Sequence, residues 1–420
     1  MCSDRKRKIN IKRGVILLAV IMLVVLGVVL FFVERDSSKK NYMSSIVDRD
    51  ISEVEKELEN YKLNVDIKYE YDDNISRDKV ISQSIIEGEE INAGDKLEIV
   101  VSLGKIDKEK LKSDGINELG KVPIMMYHGI VDMKNSDTKY TLGNVDKDGY
   151  TRTTEAFRQD LEFYYSKGYR MVKLSDYVNG VIDTAYGYSP IVLTFDDGNA
   201  NNIKVTGLDS EGNIIIDKNS AVGILEEYKK KYPDYNVTAI FFVTNALFNQ
   251  PEYNEKILHW LIDNGYEVGN HTKGHNNLSK TTQEETSSVV GYMYDKLEGI
   301  LGNKYTKIVA LPFGSPYSKT HNNYKYVISS EYNGNKYETL AALRVGWEAE
   351  VSPFSNEFDR TFLKRCRAYD NNGVEFDIEM NFKLLDNNRY ISDGNEDTIV
   401  TSSSNQSKIN NGYGKEIILY

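Results

Sequence analysis

An α/β domain with a mainly parallel sheet or barrel is the fold predicted for residues 121–420, and three observations predict it. Apolar runs of strand length ("VPIMMYH", "PIVLTF", "NVTAIFFVT", "YEVGNH", "KIVALPF") alternate with helical patterns ("EAFRQDLEFYYSKGY", "AVGILEEYKKKY", "NEKILHWLIDNG"). Such alternation places strands side by side with crossover helices between them. The residues most capable of chemistry fall at the ends of those runs, where parallel barrels gather their function. No internal repeat of roughly 20–50 residues points to a solenoid instead.

At the N-terminus, Arg5, Lys6, Arg7, Lys8, Lys12 and Arg13 precede residues 14–33, an apolar run without a charge. A helix rises about 1.5 Å per residue, so this run spans about 30 Å, the hydrocarbon thickness of a bilayer. The apolar core of a cleaved signal peptide is shorter, about 7–15 residues, and ends in small residues; this one ends in "FFVERD". The expectation is one transmembrane helix at 14–33 in the cell membrane. Residues 1–13 are then cytoplasmic by the positive-inside rule, and all that follows is extracellular.

A linker at 34–47 leads to a small α+β unit at 48–104. Ile51, Val54, Leu58 and Tyr61 of "ISEVEKELENYKL" share one helical face, and Ser52 and Glu55 have the spacing of a capping box. The alternating stretches "NVDIKYEY", "KVISQSI" and "KLEIVVS" follow, interrupted by the glycine turns of "EGEEINAGD". Residues 105–120 are charged and poor in large apolar side chains, and read as a second linker. Within 121–420, "GLDSEGNIIIDKNS" reads as an inserted hairpin.

Composition sets limits on function. The 420 residues are 40% hydrophobic and 27% charged with a net charge of −11, which argues against a nucleic-acid partner, since phosphate is neutralised by clustered Lys and Arg. Cys2 and Cys366 cannot build a disulfide framework and are poor candidates for a metal site.

"TFDDGNANN" begins at Thr194, directly after the apolar "SPIVL". Taken alone, Asp-Gly there is most often a turn. Seventy-odd residues later, "HTKGH" places His271 and His275 four apart after another strand. Two imidazoles at that spacing can face one way from the first turn of a helix. With one carboxylate they make a three-ligand site that leaves positions open for water. Zinc, cobalt, nickel and manganese all suit such donors.

These motifs resemble those of the NodB-type polysaccharide deacetylases, carbohydrate esterase family 4, whose T-F-D-D-G stands at 194–198 and whose H-[ST]-x-x-H stands at 271–275. The resemblance implies a distorted (β/α) barrel and a divalent metal ion, zinc first. It implies that Asp196 is the general base and that Asp197, His271 and His275 hold the metal. The third family motif, R-x-P-[YF]-G, reads Ala310-Leu311-Pro312-Phe313-Gly314 here, so its arginine is absent. The Phe313 N–H can still serve an oxyanion, because a main-chain donor does not depend on its side chain; Pro312 is expected beside the substrate. Arg365 is a candidate to orient Asp196, with a surface salt bridge as its alternative. Trp347, in "RVGWEAE", is expected to wall the acetyl pocket, or else to be an ordinary core tryptophan.

The family's late L-x-H strand is missing, since no histidine follows His321. "VPIMMYH" has the same form, and the first and last strands of a closed barrel are neighbours. His128 is therefore expected to act as the general acid, with a buried core histidine as the alternative. The arrangement resembles a circularly permuted branch that includes poly-N-acetylglucosamine deacetylases.

The unit at 48–104 resembles a PASTA domain through "VISQSIIEGEEINAGDKLEIVVSLG", with Ile85 or Ile86 where that family usually has proline. The resemblance implies a wall-binding module, the alternative being a spacer. Together the two resemblances imply a membrane-anchored deacetylase of peptidoglycan. Poly-N-acetylglucosamine as substrate and an inactive wall-binding scaffold are the alternatives.

Overall fold

The computed structural model describes residues 40–374 and 376–420, so the expected transmembrane run at 14–33 lies outside the described residues. Among them, no helix is long and apolar enough to cross a membrane. The chain divides into two compact units, one ending at Ile106 and the other running Asp107–Tyr420.

In the first unit the helix Ile51–Leu58 buries Ile51, Val54 and Leu58, the face its spacing defines. Its cap is Asp50 rather than Ser52: the Asp50 carboxylate accepts the Ser52 N–H at 2.9 Å. An aspartate just ahead of the helix takes the orphan amide that the expected capping box would have used. In the sheet, strand Asn64–Glu70 runs parallel to Lys96–Ser102, and Val80–Gln83 runs antiparallel to it. The unit also starts earlier than expected. Asn41–Tyr42 pairs with Glu90–Ile91, and Met43 and Ile46 are buried. Gln83 fastens this lead-in segment, accepting from the Ile46 N–H at 2.7 Å and donating to the Ser44 carbonyl at 3.1 Å.

The expected linker at 105–120 is mostly part of the second unit. Lys108–Ser113 is helical under an Asp107 cap, with Leu111 and Ile116 buried. The Asn117 N–H donates to Ile391 at 3.0 Å and the Glu118 N–H to Val400 at 2.8 Å. Two apolar side chains and a few backbone bonds anchor the segment, so its charged composition conceals the docking.

The second unit is built on eight strands: β1 (Ile124–Tyr127), β2 (Tyr169–Met171), β3 (Ser189–Phe195), β4 (Ile240–Val243), β5 (Glu267–Asn270), β6 (Ile308–Ala310), β7 (Ala341–Leu343) and β8 (Cys366–Arg367). Their order is β7-β6-β5-β4-β3-β1-β8, with β2 on the start of β3, and every pairing is parallel. The sheet curls like a half-barrel. Among the described residues, β7 meets the segment ahead of β8 through one bridge, Leu343 to Leu363, rather than the full ladder of a closed barrel. The cause is length: β7 offers three residues and β8 two.

Successive strand residues alternate between two cores. Met125, Tyr127, Leu193, Phe195, Phe241 and Val243 pack with Phe157 and Leu161 of helix α1 (Thr154–Ser166), while Ile124, Val192, Ile240, Phe242 and Ile308 form a separate core with Leu343 and Leu363. The period of two assigns one face to helices and the other to the inside of the curl. Both faces of β3 are covered, and all seven of its residues are buried. This explains why it reads as an unbroken apolar run. Hydroxyl caps start α1, α2 (Ala221–Lys231) and α3 (Gln283–Leu301): Thr153, Ser220 and Thr282 each accept a first-turn amide. The insertion at 205–216 is an antiparallel hairpin, as expected.

Candidate active site

The chain leaves β3 through Asp196 and Asp197, and the next residue determines the path. Gly198 has φ +63°, and a Cβ there would lie 2.1 Å from the Leu247 carbonyl oxygen. The glycine of "DDG" is thus required by close backbone approach as well as by its turn. Asp197 is itself left-handed at φ 75°. Two successive left-handed residues turn the adjacent carboxylates into different surroundings.

Asp197 faces two imidazoles. The His271 and His275 Nε2 atoms lie 3.2 and 3.5 Å from Asp197 Oδ1. The expected helical turn between the histidines is absent. Residues 271–275 form a loop with Thr272 at φ 63° and His275 at φ 53°. Side chains hold that loop: the Asn270 carboxamide oxygen accepts the Thr272 N–H at 2.8 Å, and the Thr272 hydroxyl accepts the Asn276 N–H at 3.1 Å. Left-handed non-glycine residues cost of order 1–3 kcal/mol and gather at functional sites. Here Asp197, His275 and Phe313 (φ 58°) line one cavity, and Thr272 lies in the loop between its two histidines.

The donor set fits a cation. His271 Nδ1 lies 2.8 Å from the Ala310 carbonyl oxygen. A carbonyl only accepts, so Nδ1 carries the proton and Nε2 presents a lone pair. That Nε2 is buried without a hydrogen-bond partner. Donor atoms of Asp197, His271 and His275 all lie within 4.8 Å of one another. Lone pairs converging in this way repel unless a positive charge sits among them, and three such ligands leave coordination positions open.

Asp196 belongs to a different environment. It is buried, as is Arg365, and the two meet through paired bonds of 2.8 and 2.7 Å. Arg365 also donates to the Thr194 hydroxyl at 3.0 Å and to the Arg344 carbonyl at 2.9 Å. A surface salt bridge is therefore excluded. A guanidinium from the segment entering β8 stands against Asp196, while Ala310 fills the position of the absent family arginine. Its backbone passes so close to Gly346 that a Cβ there would lie 2.6 Å from the Arg365 nitrogen. Burial opposes ionisation of Asp196, but Arg365 and the nearby His271 outweigh it and hold the carboxyl well below the usual range.

His128 leaves β1, the strand between β3 and β8, and enters the same cavity. Its ring lies 4.8 Å from that of Tyr150, and its Nδ1 is buried without a partner. Burial lowers its pKa against the pull of Asp196 and Asp197, favouring the neutral ring. Phe313 is half-exposed, with its ring 4.5 Å from that of His275.

The cavity, about 300 Å³, is lined by His128, Asp196, Asp197, His271, His275 and Phe313, together with Tyr150, Thr151, Asn199 and Val345. Two expected substrate contacts are not among its walls. Pro312 is buried in the turn that presents Phe313. Trp347 is neither a wall nor a core residue: it is 55% exposed, packs against Phe376 at 5.2 Å, and Val345 lines the cavity in its place. Sequence reasoning missed Tyr150 and Thr151, which arrive on a loop between β1 and α1. The tight "DKDGY" turn was their only signal.

Residues 185–328 match the polysaccharide deacetylase family, and residues 42–103 match the PASTA domain. The chain therefore carries a polysaccharide deacetylase domain, of a class that hydrolyses N-acetylated sugars, behind an N-terminal PASTA domain. No curated protein matches it. Among solved structures, it is similar to the Streptococcus pyogenes deacetylase PplD in complex with acetate, at 17% identity and TM-score 0.43 over 60% of this chain and 93% of that one. It is also similar to a Bacillus cereus polysaccharide deacetylase, at 18% identity and TM-score 0.41 over 71% and 73%. A third is a de-N-acetylase from Aggregatibacter actinomycetemcomitans, at 13% identity and TM-score 0.38 over 58% and 94%.

Proposed function

We propose that the protein is a metal-dependent deacetylase that removes acetyl groups from N-acetylglucosamine units of peptidoglycan, acting outside a membrane in which residues 14–33 anchor it. The observation that carries the chemistry is one cavity holding three convergent donors beside a separate, arginine-paired carboxylate. A divalent cation, zinc first, held by Asp197, His271 and His275 would polarise an acetamide carbonyl and acidify water, so that even a weak base suffices.

Asp196 is the base in this reading. Its pairing with Arg365 keeps it ionised and fixed in direction, at the expense of proton affinity. Phe313 contributes its main-chain N–H to the developing oxyanion. His128, neutral at rest, relays a proton to the departing sugar amine; that proton must be gained during the reaction, and Asp196 is its source after the first transfer. The products are acetate and a glucosamine unit. The PASTA domain supports a cell-wall substrate, because tethering raises the local concentration of a polymer.

The test is acetate release by the full chain from peptidoglycan fragments and from chitooligosaccharides, with added zinc and then with chelator. Chelator-sensitive release from the wall fragments is expected. No release from either substrate would overturn the reading. Removing residues 40–106 is expected to weaken binding to insoluble wall and leave turnover of short soluble fragments unchanged.

A further inference from the structure

A second cleft lies beside the catalytic cavity. It has a volume of about 450 Å³ and its walls include Lys139, Tyr140, Leu142, Asn144, Lys147 and Tyr369. This is within the size range of small-ligand sites.

The two spaces share a structural wall. Tyr150 lines the catalytic cavity and Tyr369 lines the cleft, and the Arg367 guanidinium lies 5.7 Å from the first ring and 4.8 Å from the second. Gly149 joins them from the other side, since a Cβ there would lie 2.0 Å from the Tyr369 ring. The Val145 N–H donates to Thr151, itself a cavity wall, at 2.8 Å.

The lining of the cleft is cationic and aromatic. Among the described residues, no carboxylate lines it. Asp146 of the same loop accepts the Asp148, Tyr150 and Thr151 amides at 3.0, 3.1 and 2.7 Å, so its charge is engaged within the loop. Among the described residues, neither Lys139 nor Lys147 forms an ion pair. Lys139 lies over the Tyr140 ring at 5.5 Å. Tyr140 and Leu142 are exposed, offering flat apolar surface beside two ammonium groups.

Resting on the deacetylase reading above, we propose that this cleft is a saccharide subsite that selects a glycan whose neighbouring sugar carries a carboxylate, over a neutral homopolymer of N-acetylglucosamine. The aromatic surface takes a sugar ring, and Lys139 and Lys147 take the carboxylate. Exposed pairs of this kind contribute modestly to affinity and more to selection.

The test compares the full chain and its Lys139→Ala/Lys147→Ala variant on three tetrasaccharides. One is the neutral N-acetylglucosamine tetramer, one carries lactyl carboxylates on alternate sugars, and one has those carboxylates converted to methylamides. The wild type should prefer the carboxylate substrate, and added salt should narrow the preference. The double variant should lose about fivefold in kcat/KM on that substrate alone, and Lys139→Arg/Lys147→Arg should restore it. Equal losses on all three substrates, or a wild type indifferent to the carboxylate, would overturn the subsite while leaving the deacetylase intact. A wild type that releases no acetate from any of them removes the deacetylase reading and the subsite together.

Discussion

On one wall of the cavity, Asp197 and His275, both left-handed, and His271 bring their donor atoms together. On the other, Asp196 and Arg365 are locked in a fully buried pair between strand ends. The first wall gathers three electron-pair donors, and the second pairs its carboxylate with a guanidinium. Adjacent carboxylates therefore sit in different surroundings: Asp197 converges with two imidazole nitrogens, as a cation site requires, while Asp196 is paired with a guanidinium that holds it ionised and directed. The two walls should respond differently to substitution, in metal content and in stability.

The largest effect is expected on the ligand wall. Asp197→Ala or His271→Ala should lose bound metal and acetate release together, well beyond the ~10–100-fold typical of changes behind a ligand. Metal content and turnover measured on one preparation check this. Stability without metal should change little, or rise, because repelling donors and a strained loop are relieved.

The arginine wall should behave in the opposite way. Arg365→Leu leaves Asp196 buried and unpaired, which costs about 3–5 kcal/mol. Denaturant unfolding should show that loss, and Arg365→Leu/Asp196→Asn should recover much of it. A double variant no more stable than Arg365→Leu would show that the pair is not the source.

His128 sharpens the comparison, since it enters the cavity from β1, between β3 and β8. His128→Ala should keep fold and metal but lose ~10²–10⁴ in turnover, the range for acid–base groups. Lowered melting temperature with normal turnover would make it a packing residue.

What was legible in the sequence follows the same division. The ligand wall is written in two short contiguous motifs, so residue type and spacing were enough to find it. Arg365 lies far from Asp196 along the chain, and only the curl of the sheet brings the segment entering β8 beside β1 and so close to β3. No local pattern separates such an arginine from a surface one. The helical reading of "HTKGH" failed because side-chain bonds from Asn270 and Thr272 hold a loop that periodicity does not detect. Motif analogy expects Trp347 at the acetyl pocket, but the indole is 55% exposed and Val345 lines the cavity instead. The strand–helix alternation was legible throughout, because strands buried on both faces read as unbroken apolar runs.

The smallest effect is expected at Asp370. Burial pushes Asp370 up to about 6 from 3.8, against the pull of Arg152. A carboxyl whose folded pKa exceeds its unfolded one favours folding when protonated. Its contribution is intact below about pH 4, is lost as pH rises to about 6, and stays lost above. Asp370→Asn should therefore gain stability over wild type progressively between about pH 4 and 6, then hold a constant margin. The group is half-exposed, so that margin should be no more than about 1 kcal/mol. Melting curves of both proteins across that range would check it.

The account's central claim is that two adjacent aspartates have separate roles, and Asp196→Asn tests it most directly. Metal content and acetate release should be measured on the same sample of the full chain. The account predicts wild-type metal binding with turnover at least ~10²-fold lower, the scale for loss of a positioned base. Loss of the metal, or turnover near wild type with the metal in place, would contradict it.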